Sequence, residues 1–264
     1  MIIDLGGKTA IVTGSGQGIG LAIALGLVRA GAAVVVNARS QKSVDAAIAR
    51  IVAAVPGASV RGVAADLADA AAVEAFSDVA PRADILVNNL GIFDPKPFFE
   101  IDDAEWLRFY QVNVMSGIRM ARRYLPGMLE TDWGRVIFMS SESAFQIPPE
   151  MMHYGMTKLA QVGVARGLAE MCAGTGVTVN SVLPGPTASE GVADFVYKLN
   201  PDPNRTPNEL LDEFVRNERP TSILRRAGTP EEVANMVVYL CSQQASATTG
   251  AAVAVDGGTR RSIA

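Results

Sequence analysis

The chain has 264 residues; with 49% hydrophobic and 19% charged it has the makings of a globular protein with a sizeable core, not a disordered one. A net charge of -4 and a pI near 5.2 give no electrostatic case for nucleic acid or an anionic membrane as partner. One histidine and no Cys-x-x-Cys argue against a metal site, and Cys172 and Cys241, both in apolar helical patterns, read as buried thiols of a reducing cytosol. Residues 1–5 form neither a basic n-region nor a long apolar run, and no segment is apolar enough to span a bilayer. A soluble, cytoplasmic protein is expected.

In chain order, strand-like and helix-like runs alternate. A β-rich run at 8–13 leads into glycines and a helical stretch over 19–30. Gly31 breaks it, and 33–37 reads as a buried strand. A helix at 44–55, a strand at 60–64, a helix at 70–79 and a strand at 85–87 follow. One long helix is predicted over 104–129 and a fifth strand over 135–139. A helix carrying Tyr154, a strand at 177–182, a helix at 230–242 and a last strand at 252–255 complete the pattern. Such alternation predicts a parallel sheet with helices on both faces, built as one domain over 1–264. The proline-rich stretch 184–227 interrupts it and is too long for a plain connection, so a mobile substrate lid is expected there.

Two motifs carry chemistry. Thr13-Gly14-Ser15-Gly16-Gln17-Gly18-Ile19-Gly20 lies between the first strand and the first helix, the context a dinucleotide fingerprint requires. Gly14 suits a tight turn, Gly18 the close approach of backbone to a pyrophosphate, and Gly20 close helix–strand packing, with the helix N-terminus offering N–H groups to phosphate. Tyr154 and Lys158 are four residues apart, so a helix puts them on one face, one turn apart. The lysine cation there is expected to favour the phenolate, which a phenol must reach to act as a general acid near neutral pH. Ser141, at a strand end, is a candidate for polarising a substrate oxygen.

Together these residues resemble the short-chain dehydrogenase/reductase family in its single-domain form. The resemblance spans nearly the whole chain: residues 13–20, Asn88-Asn89-Leu90-Gly91, Asn113, Ser141, Tyr154, Lys158, Pro184-Gly185 and Val255-Asp256-Gly257-Gly258. It implies an α/β doubly wound Rossmann fold, a seven-stranded parallel sheet of order 3-2-1-4-5-6-7 with the cofactor across the strand carboxyl ends. Leu90 departs from the family's usual alanine and puts local packing in question. The resemblance implies that Tyr154 is the proton donor and that Lys158 holds the nicotinamide ribose and depresses the Tyr154 pKa. It further implies that Ser141, thirteen residues before Tyr154, binds the substrate oxygen, and that Asn113 holds a water of a proton relay. His153 is expected at the pocket rim or the surface, and Met151 and Met152 along an apolar substrate pocket.

Cofactor choice turns on the end of the second strand. An NAD(H) site wants a carboxylate there; this chain has Ala38 followed by Arg39, which favours the 2′-phosphate of NADP(H). By resemblance, Gly14, Ser15, Gln17, Gly18 and Ile19 line the phosphates, Asp66 and Leu67 meet the adenine, and Asn89 and Gly91 flank the adenosine ribose. Pro184, Gly185 and Thr187 lie at the carboxamide or pyrophosphate. The expected protein is an NADP(H)-dependent carbonyl reductase or alcohol dehydrogenase with a small-molecule substrate, of which a 3-oxoacyl thioester is one. A nucleotide sensor without turnover or a methyltransferase are the other classes, each leaving Tyr154 and Lys158 without a task. Arg119, Arg122 and Arg123 make a basic patch on the long helix that a solvated face explains equally well. The resemblance also implies a homotetramer or homodimer, paired through the helices near 104–129 and 154–172.

Overall fold

The computed structural model describes residues 2–192, 196 and 205–261. One sheet of seven parallel strands runs β3-β2-β1-β4-β5-β6-β7, the expected order. The strands are β1 Thr9–Val12, β2 Ala33–Ala38, β3 Val60–Ala64, β4 Ile85–Asn88, β5 Gly134–Met139, β6 Val177–Pro184 and β7 Ala252–Val255. Every residue of β4, β5 and β6 is buried, as near-continuous apolar strands must be when helices cover both faces.

The helices are α1 Gly18–Arg29, α2 Gln41–Ala54, α3 Ala70–Val79, α4 Asp103–Tyr110, α5 Ser116–Glu130, α6 Met152–Met171, α7 Pro207–Glu218 and α8 Pro230–Leu240. Period-two alternation divides the strand side chains between two cores. Ala10 and Val12 of β1 join Ile23 and Leu27 of α1, Ile51 of α2 and Val237 of α8 on one face. Ile11 joins Phe76 of α3, Met120 and Tyr124 of α5 and Ala165 of α6 on the other. Each large side chain buried this way contributes about 1.5–3 kcal/mol.

Three local outcomes differ from the expectation. The long helix is α4 and α5 joined through a π-helical turn, Gln111–Met115, which holds Asn113. Helix α2 starts ahead of its apolar run, because the Ser40 hydroxyl accepts the Ser43 N–H at 3.2 Å as a cap. The segment after β6 is more built than a plain lid. A parallel bridge ties Thr187 to Gly228, and α7 opens on a capping box of Thr206 and Glu209. Pro207, which reads as a breaker, starts that helix. Leu210, Leu211, Val215, Val196 and Ala227 form a small core of their own. Residues 193–195 and 197–204 of the expected lid lie outside the described residues. Among the described residues no helix is long and apolar enough to cross a membrane.

Gly20 is where the packing is tightest around the site. A Cβ there would lie 2.5 Å from both the Gly14 carbonyl oxygen and the Asn89 amide nitrogen. Gly20→Ala is expected to lose about 1–3 kcal/mol to overpacking, exceeding alanine's helix gain of about 1 kcal/mol. Thermal unfolding should show Tm falling by several degrees; an unchanged Tm would mean that the glycine turn yields freely.

Candidate active site

The strand order reverses between β1 and β4, and the carboxyl ends of the strands open a crevice there. On its floor the glycine turn follows β1 with Gly14 at φ 60 and Gly18 at φ 57, backbone that favours glycine. Asn89 donates from Nδ2 to the carbonyls of Thr13 and Gly14 at 2.9 and 3.0 Å, and Thr13 Oγ1 accepts the N–H groups of Asn89 and Leu90, each at 2.9 Å. At the start of α1 Gln17 makes no side-chain cap, which leaves first-turn N–H groups for an anion. The Gly18 N–H donates to a carboxylate oxygen of Glu190 at 3.3 Å, the kind of acceptor this helix terminus favours.

Two clefts meet at Asn89 and Gly91. One is lined by Gly14, Gln17, Ala38, Arg39, Leu67 and Leu90. No acid stands at Ala38, and the exposed Arg39 has no ion-pair partner among the described residues. The other, a cavity of about 220 Å³, is walled by Ile19, Ser141, Tyr154, Lys158 and Thr187, with Pro184 and Gly185 beside them. Open helix N–H groups, a turn whose Gly14, Gly16 and Gly18 lack Cβ atoms and this continuous trough fit an extended dinucleotide.

Not every residue expected at the cofactor faces these clefts. The Ser15 hydroxyl is spent inside the fold, donating to Val12 O at 2.7 Å and accepting the Asn37 N–H at 2.9 Å. Asp66 is exposed with its carboxylate on the Ala68 N–H, so of that pair only Leu67 lines the trough. Gly18 lies against Ser189 and Glu190. Leu90 has its own seat: its side chain packs on the core beneath.

At the cavity wall Tyr154 and Lys158 share one face of α6, as their spacing predicts. Lys158 is buried, donates to the Met139 carbonyl at 2.8 Å and has Nζ 5.5 Å from the Tyr154 ring centre. Burial lowers its pKa to about 8. The expected depression of the Tyr154 pKa is absent. Burial first, and the charge of Glu142 second, push the phenol above its ordinary value, and only the Ser141 hydroxyl opposes them. Desolvating the phenolate outweighs a cation that lies over the ring, 5.5 Å from its centre.

The two serines divide their work. Ser140 Oγ donates to the Lys158 carbonyl at 2.8 Å and braces α6, whereas Ser141 faces the cavity and donates to Glu142 Oε2 at 2.5 Å. Asn113 ties the loop after β4 to α6: Oδ1 accepts the Ile92 N–H at 2.7 Å, and Nδ2 donates to Ile92 O and Thr157 Oγ1. Its backbone carbonyl accepts from Gln161 Nε2 at 2.6 Å. Of the methionines, Met151 lines the cavity and Met152 points away, half-exposed. His153 is neither rim nor surface but wholly buried, its ring 4.0 Å from that of Phe109 and 5.9 Å from that of Trp106. It heads the stripe His153, Thr157, Gln161, Ala165, Ala169 that α6 turns inward, and burial lowers its pKa. Two charged cavity residues escaped the sequence reading, Glu142 and Arg219.

Residues 14–260 match the family model described as enoyl-(acyl carrier protein) reductase. The chain is 46% identical, over the full length of both, to the "uncharacterized oxidoreductase YvaG" of Bacillus subtilis. It is 33% identical to the 3-oxoacyl-[acyl-carrier-protein] reductase FabG of Aquifex aeolicus, over 98% of this chain and 99% of that one. L-Sorbose reductase from Gluconobacter frateurii, solved with NADPH and L-sorbose, superposes over 100% of both chains with a TM-score of 0.91 at 31% identity. With that sheet order and that glycine turn in place, these similarities settle that the chain belongs to the short-chain dehydrogenase/reductase family, oxidoreductases that act on CH–OH and C=O groups with NAD(P).

The buried Lys158 carries a stability cost that can be measured. Its folded pKa near 8 lies below the ordinary 10.5, so the fold disfavours the cation by about 3 kcal/mol at pH 7. That penalty is full below pH 8 and fades as pH rises toward 10.5. Lys158→Met, losing one hydrogen bond worth about 1 kcal/mol, is expected to raise the Tm of the nucleotide-free protein by a few degrees at pH 7. The gain should shrink in alkaline buffer; a Tm below the parent's would show the ammonium to be stabilising.

Proposed function

We propose that the protein interconverts a carbonyl compound and its secondary alcohol with NADP(H), Tyr154 exchanging the proton. The observation that carries this reading is the meeting of Tyr154, Lys158 and Ser141 on the wall of one cavity that opens, at Asn89 and Gly91, onto the nucleotide trough. Gly14, Gln17, Ile19, Arg39, Leu67, Asn89, Gly91 and Thr187 would hold the nucleotide. The nicotinamide, when bound, supplies or accepts the hydride. The chain's own residues do the rest. Tyr154 gives its phenolic proton to the substrate oxygen in reduction and takes it back in oxidation. Ser141 donates to that oxygen as negative charge develops on it, from a wall of buried side chains, where such a contact is stronger than in bulk water. Lys158, fixed on the Met139 carbonyl, keeps a cation beside the phenol and would hold a ribose hydroxyl of the bound nucleotide.

NADP(H) is supported over NAD(H) by the unpaired Arg39, the missing acid at Ala38 and the NADPH bound in the sorbose reductase. For the substrate, the similarity to the Aquifex enzyme supports a 3-oxoacyl thioester. Against it, the cavity wall presents Glu142 and Arg219, groups that suit the hydroxyls of a small polar carbonyl compound better than an acyl chain. We favour the small polar compound. A homotetramer or homodimer paired through α5 and α6 is supported by the apolar groove of Leu125, Leu129, Val164, Leu168 and Met171 between them.

In a calorimetric titration NADPH should bind more tightly than NADH, and Arg39→Ala should weaken NADPH about tenfold or more, the equivalent of one charge-assisted phosphate contact. Equal affinities in the parent protein would show that Arg39 does not read the 2′-phosphate. In NADPH oxidation with a panel of ketoses, hydroxyketones and 3-oxoacyl thioesters, Tyr154→Phe should lose turnover by at least about a hundredfold while keeping its NADPH affinity. Turnover that survives this change rules out the assigned proton donor, and a parent protein that binds nucleotide without oxidising it would be a sensor.

A further inference from the structure

The Ser141 hydroxyl has one proton to give, and in this structure it goes to Glu142. Ser141 Oγ accepts the Ser143 N–H at 3.1 Å and donates to Glu142 Oε2 at 2.5 Å. Glu142 follows Ser141 directly, in the 3-10 turn Glu142–Ala144, and is buried. It is the one carboxylate among the described residues that line the cavity. A carboxyl group kept from water needs partners. Besides Ser141 it has the Arg219 guanidinium, whose Nε lies 3.9 Å from Oε1, beyond direct hydrogen bonding. Arg219, just beyond α7, is largely buried as well and also reaches Glu150 Oε1, at 3.5 Å. Burial raises the Glu142 pKa; the Ser141 hydroxyl and then the Arg219 charge oppose that rise.

When a carbonyl compound binds, Ser141 must turn its proton to the substrate oxygen. Glu142 Oε2 then loses that hydrogen bond while still buried, a loss that weighs heavily for a charged acceptor. A hydroxyl on the bound molecule repairs it, provided it sits next to the oxygen that Ser141 has taken. Ser141 Oγ and Glu142 Oε2 are 2.5 Å apart. The two oxygens of an α-hydroxyketone, turned to the same side, are also about a hydrogen-bond length apart. The two pairs therefore meet one to one: Ser141 donates to the carbonyl oxygen, and the substrate hydroxyl donates to Glu142. A hydroxyl one carbon further away has to bend back to reach, and a plain ketone offers Glu142 no donor.

We propose that Glu142 is a specificity-determining residue that selects α-hydroxyketones, its carboxylate accepting from the hydroxyl on the carbon next to the reacting carbonyl. The Arg219 charge holds that carboxylate ionised, an acceptor with no proton of its own. The chemistry is that of the carbonyl–alcohol reading, with a vicinal diol as the alcohol, and Glu142 neither gains nor loses a proton. The inference deepens that reading and rests on it, because it takes Ser141 to be the donor to the substrate oxygen.

The experiment compares kcat/KM for NADPH-dependent reduction of 1-hydroxy-2-butanone, 2-butanone and 4-hydroxy-2-butanone by the full-length parent, Glu142→Gln and Glu142→Asp. The parent should prefer 1-hydroxy-2-butanone to each of the others by about tenfold to a hundredfold, the effect of one hydrogen bond to a buried charge. Part of any such preference belongs to the ketone, whose carbonyl the neighbouring oxygen makes more reactive, and the variants separate the two parts. In Glu142→Gln, whose neutral amide is the weaker acceptor, the preference should shrink by about tenfold, through slower turnover of 1-hydroxy-2-butanone. Glu142→Asp keeps the charge that Arg219 pairs with but draws it back by one methylene. It should lose preference too, and it decides if Glu142→Gln does not fold. A parent that reduces 2-butanone or 4-hydroxy-2-butanone as well as 1-hydroxy-2-butanone overturns the inference. So does a variant that keeps the parent's preference, including one that slows on all three ketones equally, which would make Glu142 a structural support. A parent that turns over a 3-oxoacyl thioester and none of the three overturns the inference but leaves the carbonyl–alcohol reading standing. A parent that oxidises NADPH with no carbonyl compound ends both.

Discussion

The site depends on a clasp across the point where the strand order reverses. Thr13 and Gly14 leave β1, Asn89 and Leu90 leave β4, and between the two pairs run four hydrogen bonds of 2.9–3.0 Å that fix the glycine turn against the neighbouring strand end. Two parallel strands diverging at such a point expose their last carbonyls and amides, which need partners once the helices bury them. The Asn89 side chain supplies those partners to the turn, and Gly20 must lack a Cβ because the same amide occupies that space. A left-handed Gly14 and an open α1 terminus follow from this geometry, so the nucleotide trough is a by-product of how the sheet closes its own crevice.

A second constraint comes from α6. Ser140 and the Met139 carbonyl, both at the end of β5, hold the backbone and the ammonium of Lys158 respectively. Tyr154 lies one turn earlier on the same helix, so its distance from the strand end is set by the helix and not by a flexible loop. The π turn around Asn113 serves the same purpose from the other side. It lets the Asn113 carbonyl meet Gln161, and its side chain meet Thr157, so that α6 is braced over two successive turns. Tyr154 and Lys158 thus stand on a rigid element, as a site with precise geometry demands.

Much of this was legible in the sequence, where a residue's task is local. The glycine turn, the strand periodicity and the i,i+4 pairing of Tyr154 with Lys158 each need only neighbours in the chain, and the fold keeps them. What was not legible depends on distant partners. Ser15 sits inside the fingerprint yet serves Asn37, whose position only the β1–β2 pairing decides. His153 looked exposed because Thr157 and Gln161 disguise the inward stripe of α6 as polar; the spacing of four from His153 to Ala169 was the available signal. Glu142 carries no local sign of its burial and drew no reading from the sequence. Its burial is imposed by the segment around Arg219, whose conformation the proline-rich stretch concealed.

The electrostatics of the site then follow from crowding ionisable groups where water is scarce. A cation 5.5 Å from the ring centre does not make Tyr154 acidic when the phenolate must lose its hydration and face Glu142 as well. Lys158 and Tyr154 shift in opposite directions for one cause, since burial disfavours the charged form of each. Such a site is poised toward its neutral protonation states, and any charge formed on one group is felt by the rest at low effective dielectric. Proton movement between neighbours keeps the total charge constant and avoids that penalty, whereas isolated ionisation incurs it in full.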